Sequence, residues 1–269
     1  MRVRIFKDLE KTLPEDRFVA WTNLRGRYRG KQHYVSSVPS EPEGILIAQD
    51  KFDRIYFCRR PRHNRYKNGI MNRVDFLAHE YHLDRLTDLR GGTFIDCGAN
   101  VGELGLWAKV RGFSYIPFEP EDLEARCVDL NVFDGADTCH RKGLWNETTT
   151  LQFHSSPDSA DSSLIAFEGS TQTAKLEVVR LDDAVDLSTA DGPVIFKLEA
   201  EGAEPEVLEG AKDSLAHIDW VAVDCGYERG PDKQHTFVET NTALVDHGFR
   251  LVAAQFGRVT ALYGRPGAT

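Results

Sequence analysis

The sequence predicts an α/β protein, a mostly parallel sheet whose last strand runs antiparallel, preceded by a small N-terminal α/β segment. Three observations carry this reading. From residue 93 onward short apolar runs alternate with segments of helical periodicity, the chain closes on two apolar runs with no helix between them, and the first 90 residues follow a different, shorter pattern.

In the first segment, GILIAQDKFDRIYF (44–57) reads as two short strands around a polar turn. VDFLAHEYHLDRL (74–86) spaces Phe76, Leu77, Tyr81, Leu83 and Leu86 as one helix does. We take residues 1–90 as a preface and 91–269 as the main unit. There TFID, YIPFE, VIFKLE and WVAVD read as strands. ELGLWAKVRG, PEDLEARCVDLNVF, PEVLEGAKDSLAHI and a segment near 236–247 read as helices, and FRLVAAQ with RVTALYG forms the closing pair. Strand and helix in alternation imply βαβ units with right-handed crossovers. LQFHSS (151–156) and AKLEVVRL (174–181) interrupt the series as a hairpin excursion.

Composition narrows the class. With 41% hydrophobic and 28% charged residues in 269, the chain is an ordinary globular protein with enough length for a substantial core. Its start, MRVRIFKDLEK, scatters charges where a signal peptide needs an apolar region, and no run approaches the roughly 18 apolar residues of a membrane span. The expected location is the cytoplasm. Five widely spaced cysteines with no C-x-x-C pair suggest neither a disulfide framework nor a zinc site, and they read as small buried apolar residues. The net charge of −9 hides a division: residues 1–90 hold 19 Lys+Arg against 12 Asp+Glu, the remainder 14 against 30. RGRYRGK (25–31) and CRRPRHNRYK (58–67) interleave arginines with aromatics. Such stretches hold phosphate groups, or lie solvated, or form an inner wall against the acidic part.

The segment FIDCGANVG (94–102) carries the first chemistry. In an open α/β sheet the ligand sits beyond the carboxyl ends of the strands, and glycines of the first βα turn let backbone approach it, a role that fits Gly98 and Gly102. The dinucleotide pattern G-x-G-x-x-G is not met, since Asn100 stands where it needs a glycine. Asp96 suits a positively charged ligand, and Glu119 follows 23 residues on, near the roughly 20 at which an acid meets ribose hydroxyls. A cationic head on a ribose describes S-adenosyl-L-methionine.

FIDCGANVG, FEPEDLEARCVDLN (118–131) and above all FKLEAEGAEPEVLEGA (196–211) resemble the signature blocks of the FkbM-type methyltransferases, S-adenosyl-L-methionine-dependent enzymes acting mostly on hydroxyl oxygens of sugars and natural products. The resemblance spans about residues 91–252. It implies the class I, Rossmann-like sheet of seven strands with the last antiparallel. It also implies that Asp96 and the turn Gly98–Gly102 hold the methionine end, with Asn100 at the crest, that Glu119 binds the ribose, and that Leu144 walls the adenine. The family usually has Asp where this chain has Glu199.

Methyl transfer to an alcohol needs a proton acceptor at the strand ends facing the methyl group. Glu199 and Glu201 follow one strand and Asp224 ends another; Glu201 is the first choice as base, with Glu199 and Asp224 orienting the acceptor and no metal required. Three such acids repel one another unless a proton or cation sits among them. His79, His82 and His235 are alternative bases, and Ser162 and Ser163 lie in the excursion. The expected acceptor is a small molecule, anionic or sugar-linked. Methylation of RNA is the alternative, motivated by the basic stretches and weakened by the acidic remainder and the missing N-P-P-[YF] motif. A non-catalytic binding module is the third reading.

Overall fold

The computed structural model describes residues 12–268 apart from 32, 87, 156–161, 164–171 and 231, with main chain alone at 153–155, 162–163 and 172–174. Ser162 and Ser163 therefore enter only as backbone.

A helix, α1 (Glu15–Tyr28), precedes a three-stranded antiparallel sheet of β1 (Tyr34–Ser37), β2 (Leu46–Gln49) and β3 (Arg54–Phe57). The β2–β3 turn is held by Asp50, whose Oδ1 accepts from the amides of Phe52 and Asp53, both at 2.8 Å. Its other oxygen accepts from Ile70 N, where α2 (Ile70–Glu80) begins after a 3-10 helix, Arg60–Tyr66. The single helix expected over 74–86 is two elements, because His82 adopts φ +57 and a 3-10 turn, Leu83–Leu86, follows.

The central sheet follows from β4 (Thr93–Cys97), α3 (Glu103–Val110), β5 (Ser114–Phe118) and α4 (Asp122–Val132). After an excursion come β10 (Val194–Leu198), α6 (Glu204–Glu209), β11 (Trp220–Asp224), α7 (Phe237–Asp246), β12 (Arg250–Gln255) and β13 (Thr260–Gly264). The strand order is β12-β13-β11-β10-β4-β5; β5, β4, β10 and β11 are parallel and β13 is antiparallel to both its neighbours. This is the class I arrangement expected, with one difference. The seventh position, beyond β5, is reduced to a single parallel bridge between Phe118 and His140. The chain leaves the sheet there because β6 (Gly143–Leu144) pairs with β9 (Gln172–Val179) of a separate four-stranded sheet. β7 (Thr149–Ser155) and β9 form the expected hairpin, with β8 (Ser162–Ser163) at its edge and α5 (Leu181–Ala184) after it.

Every residue of β4 and β10 is buried, as central parallel strands covered on both faces must be. Side chains alternate between two cores: Phe94 and Ile195 join Trp107, Val74 and Tyr81 on one face, Ile95 and Phe196 join Val207 and Leu244 on the other. Tyr81, Leu83 and Leu86 thus share a core with Leu262, so the charge boundary near residue 90 is not a boundary between cores. The N-terminal sheet sits on α4, where Asn131 clamps Tyr56 by accepting from its amide at 2.7 Å and donating to its carbonyl at 2.8 Å. Among the described residues no helix is long and apolar enough to cross a membrane. All five cysteines are buried free thiols.

Candidate active site

The carboxyl ends of β4, β5 and β10 open onto a two-branched cleft. The first branch, about 800 Å3 including its open mouth, is bordered by Gly98, Asn100, Glu119, Leu144, Glu199 and Glu201 among others. The second is bordered by Arg62, Arg65, Tyr81, Glu228, Arg258 and again Asn100, Glu199 and Glu201. Six of the nine site residues chosen from the sequence therefore meet in the first branch.

Gly98 has to be glycine. Its φ is +75, and a Cβ would run into the carbonyl of Glu199, so the β4 turn lies directly on the end of β10. Asn100 takes φ +53 at the crest of the turn, and its amide donates to Glu119 Oε2 at 2.8 Å. Glu119 Oε1 accepts from Glu121 N at 3.0 Å, and burial pushes this carboxyl up to about 8. Leu144, Phe118 and Leu176 give the same branch an apolar wall. Gly102 differs from expectation: it borders neither branch and starts α3, where Val128 and Val132 of α4 pack against it.

Asp96 also differs. It is 1% exposed; its Oδ2 accepts from the Tyr115 hydroxyl at 2.6 Å and its Oδ1 lies 3.0 Å from Lys197 Nζ. The charge expected to meet a ligand's ammonium is met inside the protein by β10. Lys197 also donates to the carbonyls of Cys97 and Gly98 at 2.9 and 2.7 Å, tying the glycine turn to the sheet. Burial opposes its ammonium, yet Asp96 and Glu199 outweigh burial and hold it charged.

Two of the three acids, Glu199 and Asp224, converge, and the cation between them is an arginine that the sequence did not single out. Arg258, in the β12–β13 turn, reaches Asp224 at 2.6 Å, Glu199 at 2.7 Å and Glu80 at 3.2 Å. Glu199 lies 3.2 Å from Lys197 as well; although burial opposes ionisation, Lys197 and Arg258 bring its carboxyl down to about 2. Glu199 is thus a fixed anion with little basicity. Asp224 is raised to about 6 by burial and by Glu199 against the pull of Arg258, and it borders neither branch.

Glu201 borders both branches and has φ +51, a left-handed conformation that costs a non-glycine residue of order 1 kcal/mol or more. Its bend is held from below by Glu204, which is 1% exposed. Glu204 Oε1 accepts from the amides of Ala200 and Gly202 at 3.0 and 3.1 Å, and Oε2 accepts from Thr236 Oγ1 at 2.6 Å. Much of the FKLEAEGAEPEVLEGA block is therefore scaffold. Lys197 pairs with Asp96, Glu204 shapes the bend, and Gly210 leaves room for the carbonyl of Trp145, into which a Cβ would drive.

None of the candidate histidines borders the cleft. His79 is bonded to Asp84 at 2.7 Å, His82 lies beside Thr260 and His235 is exposed against Tyr227. Among the described residues no group of three or more His, Cys, Asp or Glu is arranged to hold a metal ion.

Glu228 was missed, for in sequence it is one more charge in a polar loop. It borders the second branch, and burial, then Glu199, Asp224 and Glu204, push its carboxyl up to about 8. A carboxyl raised in the folded state and normal in the unfolded chain lowers stability as pH rises from about 4.5 to 8. Glu228→Gln should therefore gain in melting temperature over the wild type progressively between pH 5 and 8, and level off above. A gain equal at both pH values would show that the raised carboxyl is not the cause.

This geometry accords with the sequence comparison. Residues 96–251 match the profile of the methyltransferase FkbM domain, more than half of the chain, and the protein belongs to that family. No curated protein sequence matches it. Solved structures similar in architecture include magnesium protoporphyrin IX methyltransferase from Synechocystis PCC 6803 with bound SAH, at 12% identity and TM-score 0.41, covering 76% of this chain and 86% of the other. A TehB-like SAM-dependent methyltransferase from Corynebacterium glutamicum gives 14% identity and TM-score 0.39 over 70% and 87%. The B. subtilis tRNA methyltransferase TrmK gives 10% and 0.41 over 70% and 65%. All three are distant likenesses.

Proposed function

We propose that the protein moves the methyl group of S-adenosyl-L-methionine to a hydroxyl oxygen of a small molecule such as a sugar, a sugar nucleotide or a natural product. The observation that carries this is the shared border of the two branches, where Glu199 and Glu201 face both, so that donor and acceptor can meet across one pair of carboxylates.

The first branch suits the donor. Leu144 and Phe118 offer an apolar slot for an adenine, Glu119 keeps lone pairs for ribose hydroxyls beyond its two backbone bonds, and Gly98 lets the chain approach closely. When bound, the sulfonium supplies a methyl group that is already electrophilic, so the protein's task is alignment and proton removal. Glu199, held anionic by Lys197 and Arg258, would face the positive charge. Glu201 would accept the hydroxyl proton on a carboxylate oxygen, while Arg258 and Asp224 fix Glu199 in place. On this reading catalysis needs no metal, and activity should survive exhaustive EDTA treatment.

The RNA reading loses support from the fate of its basic stretch. Arg59 is engaged by Glu121 and Glu124, and Arg60 donates to the Leu13 carbonyl and stacks on Phe18, leaving fewer charges for a nucleic-acid backbone. The test is incubation with methyl-labelled S-adenosyl-L-methionine and fractionated extract of the source. Label in a small, base-stable ether supports the proposal; label in RNA, or in an amine, overturns it.

A further inference from the structure

Among the described residues the cleft's cations are paired with carboxylates except at one place. Lys197 is matched by Asp96 and Glu199, Arg73 by Glu103 at 3.0 Å, and Arg258 by Glu80, Glu199 and Asp224. Arg62 and Arg65 are not so matched: among the described residues neither has a carboxylate within salt-bridge distance. Both belong to the 3-10 helix Arg60–Tyr66, which presses against the second branch from the N-terminal segment. Arg62 donates to Asn100 Oδ1 at the crest of the glycine turn, which puts its guanidinium where the two branches meet. Arg65 borders the second branch and not the first, so it lies on the side away from Glu119 and Leu144. The two guanidiniums and Arg73 repel one another. The same branch is also bordered by Glu199, Glu201 and Glu228 from the strand ends, so its unmatched guanidiniums come from the N-terminal segment and its carboxylates of interest from the sheet.

Resting on the methyl-transfer reading above, we propose that Arg62 and Arg65 form an anion subsite for the acceptor, which is a phosphorylated or pyrophosphate-linked hydroxyl compound. Two guanidinium forks match a dianion in charge and in the planar spacing of its oxygens. Holding the anion at the basic wall turns the rest of the acceptor toward Glu201, so the N-terminal segment supplies acceptor recognition while the strand ends supply the chemistry. The reading also accounts for the basic character of residues 58–67: Arg59 and Arg60 build the wall, and Arg62 and Arg65 face the ligand.

The probe is inorganic pyrophosphate, titrated calorimetrically into protein saturated with S-adenosylhomocysteine. Pyrophosphate should bind the wild type, more weakly as salt is raised, and at least tenfold more weakly to Arg62→Gln/Arg65→Gln, with S-adenosylhomocysteine affinity within twofold of wild type. Arg62→Lys/Arg65→Lys, which keeps the charge and loses the fork, should fall between. Pyrophosphate affinity equal in wild type and double Gln variant overturns the subsite. Competition between the two ligands, with both weakened tenfold in the double Gln variant, overturns it in another way, by giving the arginines to the donor's amino-acid carboxylate. Failure of wild-type protein to bind S-adenosylhomocysteine would instead bring down the underlying methyl-transfer reading.

Discussion

Glu201→Gln should lower kcat by roughly 10² or more while leaving S-adenosyl-L-methionine affinity within twofold. The substitution keeps the shape of a side chain that borders both branches and removes its basicity. The bend at residues 200–202 should survive, because Glu204 holds it through the amides of Ala200 and Gly202. Single-turnover rates with the donor prebound separate this loss from weakened binding. A fully active variant would remove Glu201 from the mechanism and point to Glu228, whose carboxyl already lies near neutral pH.

Asp96→Ala should destabilise the fold by about 3–5 kcal/mol, the usual cost of stripping one partner from a buried ion pair. Asp96 and Lys197 are 1% and 2% exposed, and the Tyr115 hydroxyl would be orphaned at the same time. Chemical denaturation would measure the loss. Adding Lys197→Met to Asp96→Ala should recover part of it, since the uncompensated buried ammonium is then gone. If Asp96→Ala left stability unchanged and weakened donor binding tenfold, Asp96 would be a ligand group after all.

These two residues show what the sequence could and could not reveal. Periodicity located the strands from 93 onward and the glycine turn, because buried parallel strands and tight turns constrain residue type locally. The third block was legible as a motif, yet the division of labour within it was not. Lys197, Glu204 and Gly210 serve the scaffold through partners 32 to 101 residues away, at Asp96, Thr236 and Trp145, and one-dimensional spacing does not record such contacts. Arg258 was invisible for the same reason, since it comes from the turn between the edge strand β12 and its neighbour β13 and meets Glu199 across 59 residues. The α1 helix and β1 strand were missed because neither shows a clear apolar period. α1 buries only Phe18, Thr22 and Gly26, two of them non-hydrophobic side chains by composition. The helix expected over 74–86 misled through an apolar pattern that a turn at His82 happens to preserve.

Methyl transfer by this protein depends first on donor binding in the branch between Gly98 and Glu119. Isothermal titration of S-adenosyl-L-methionine should give saturable one-to-one binding to the wild type. Glu119→Ala, with its fold checked by circular dichroism, should bind at least tenfold more weakly, about 1.4 kcal/mol, and Glu119→Gln should fall between. Absence of binding by the wild type, or equal affinity in the wild type and a folded Glu119→Ala variant, would contradict it.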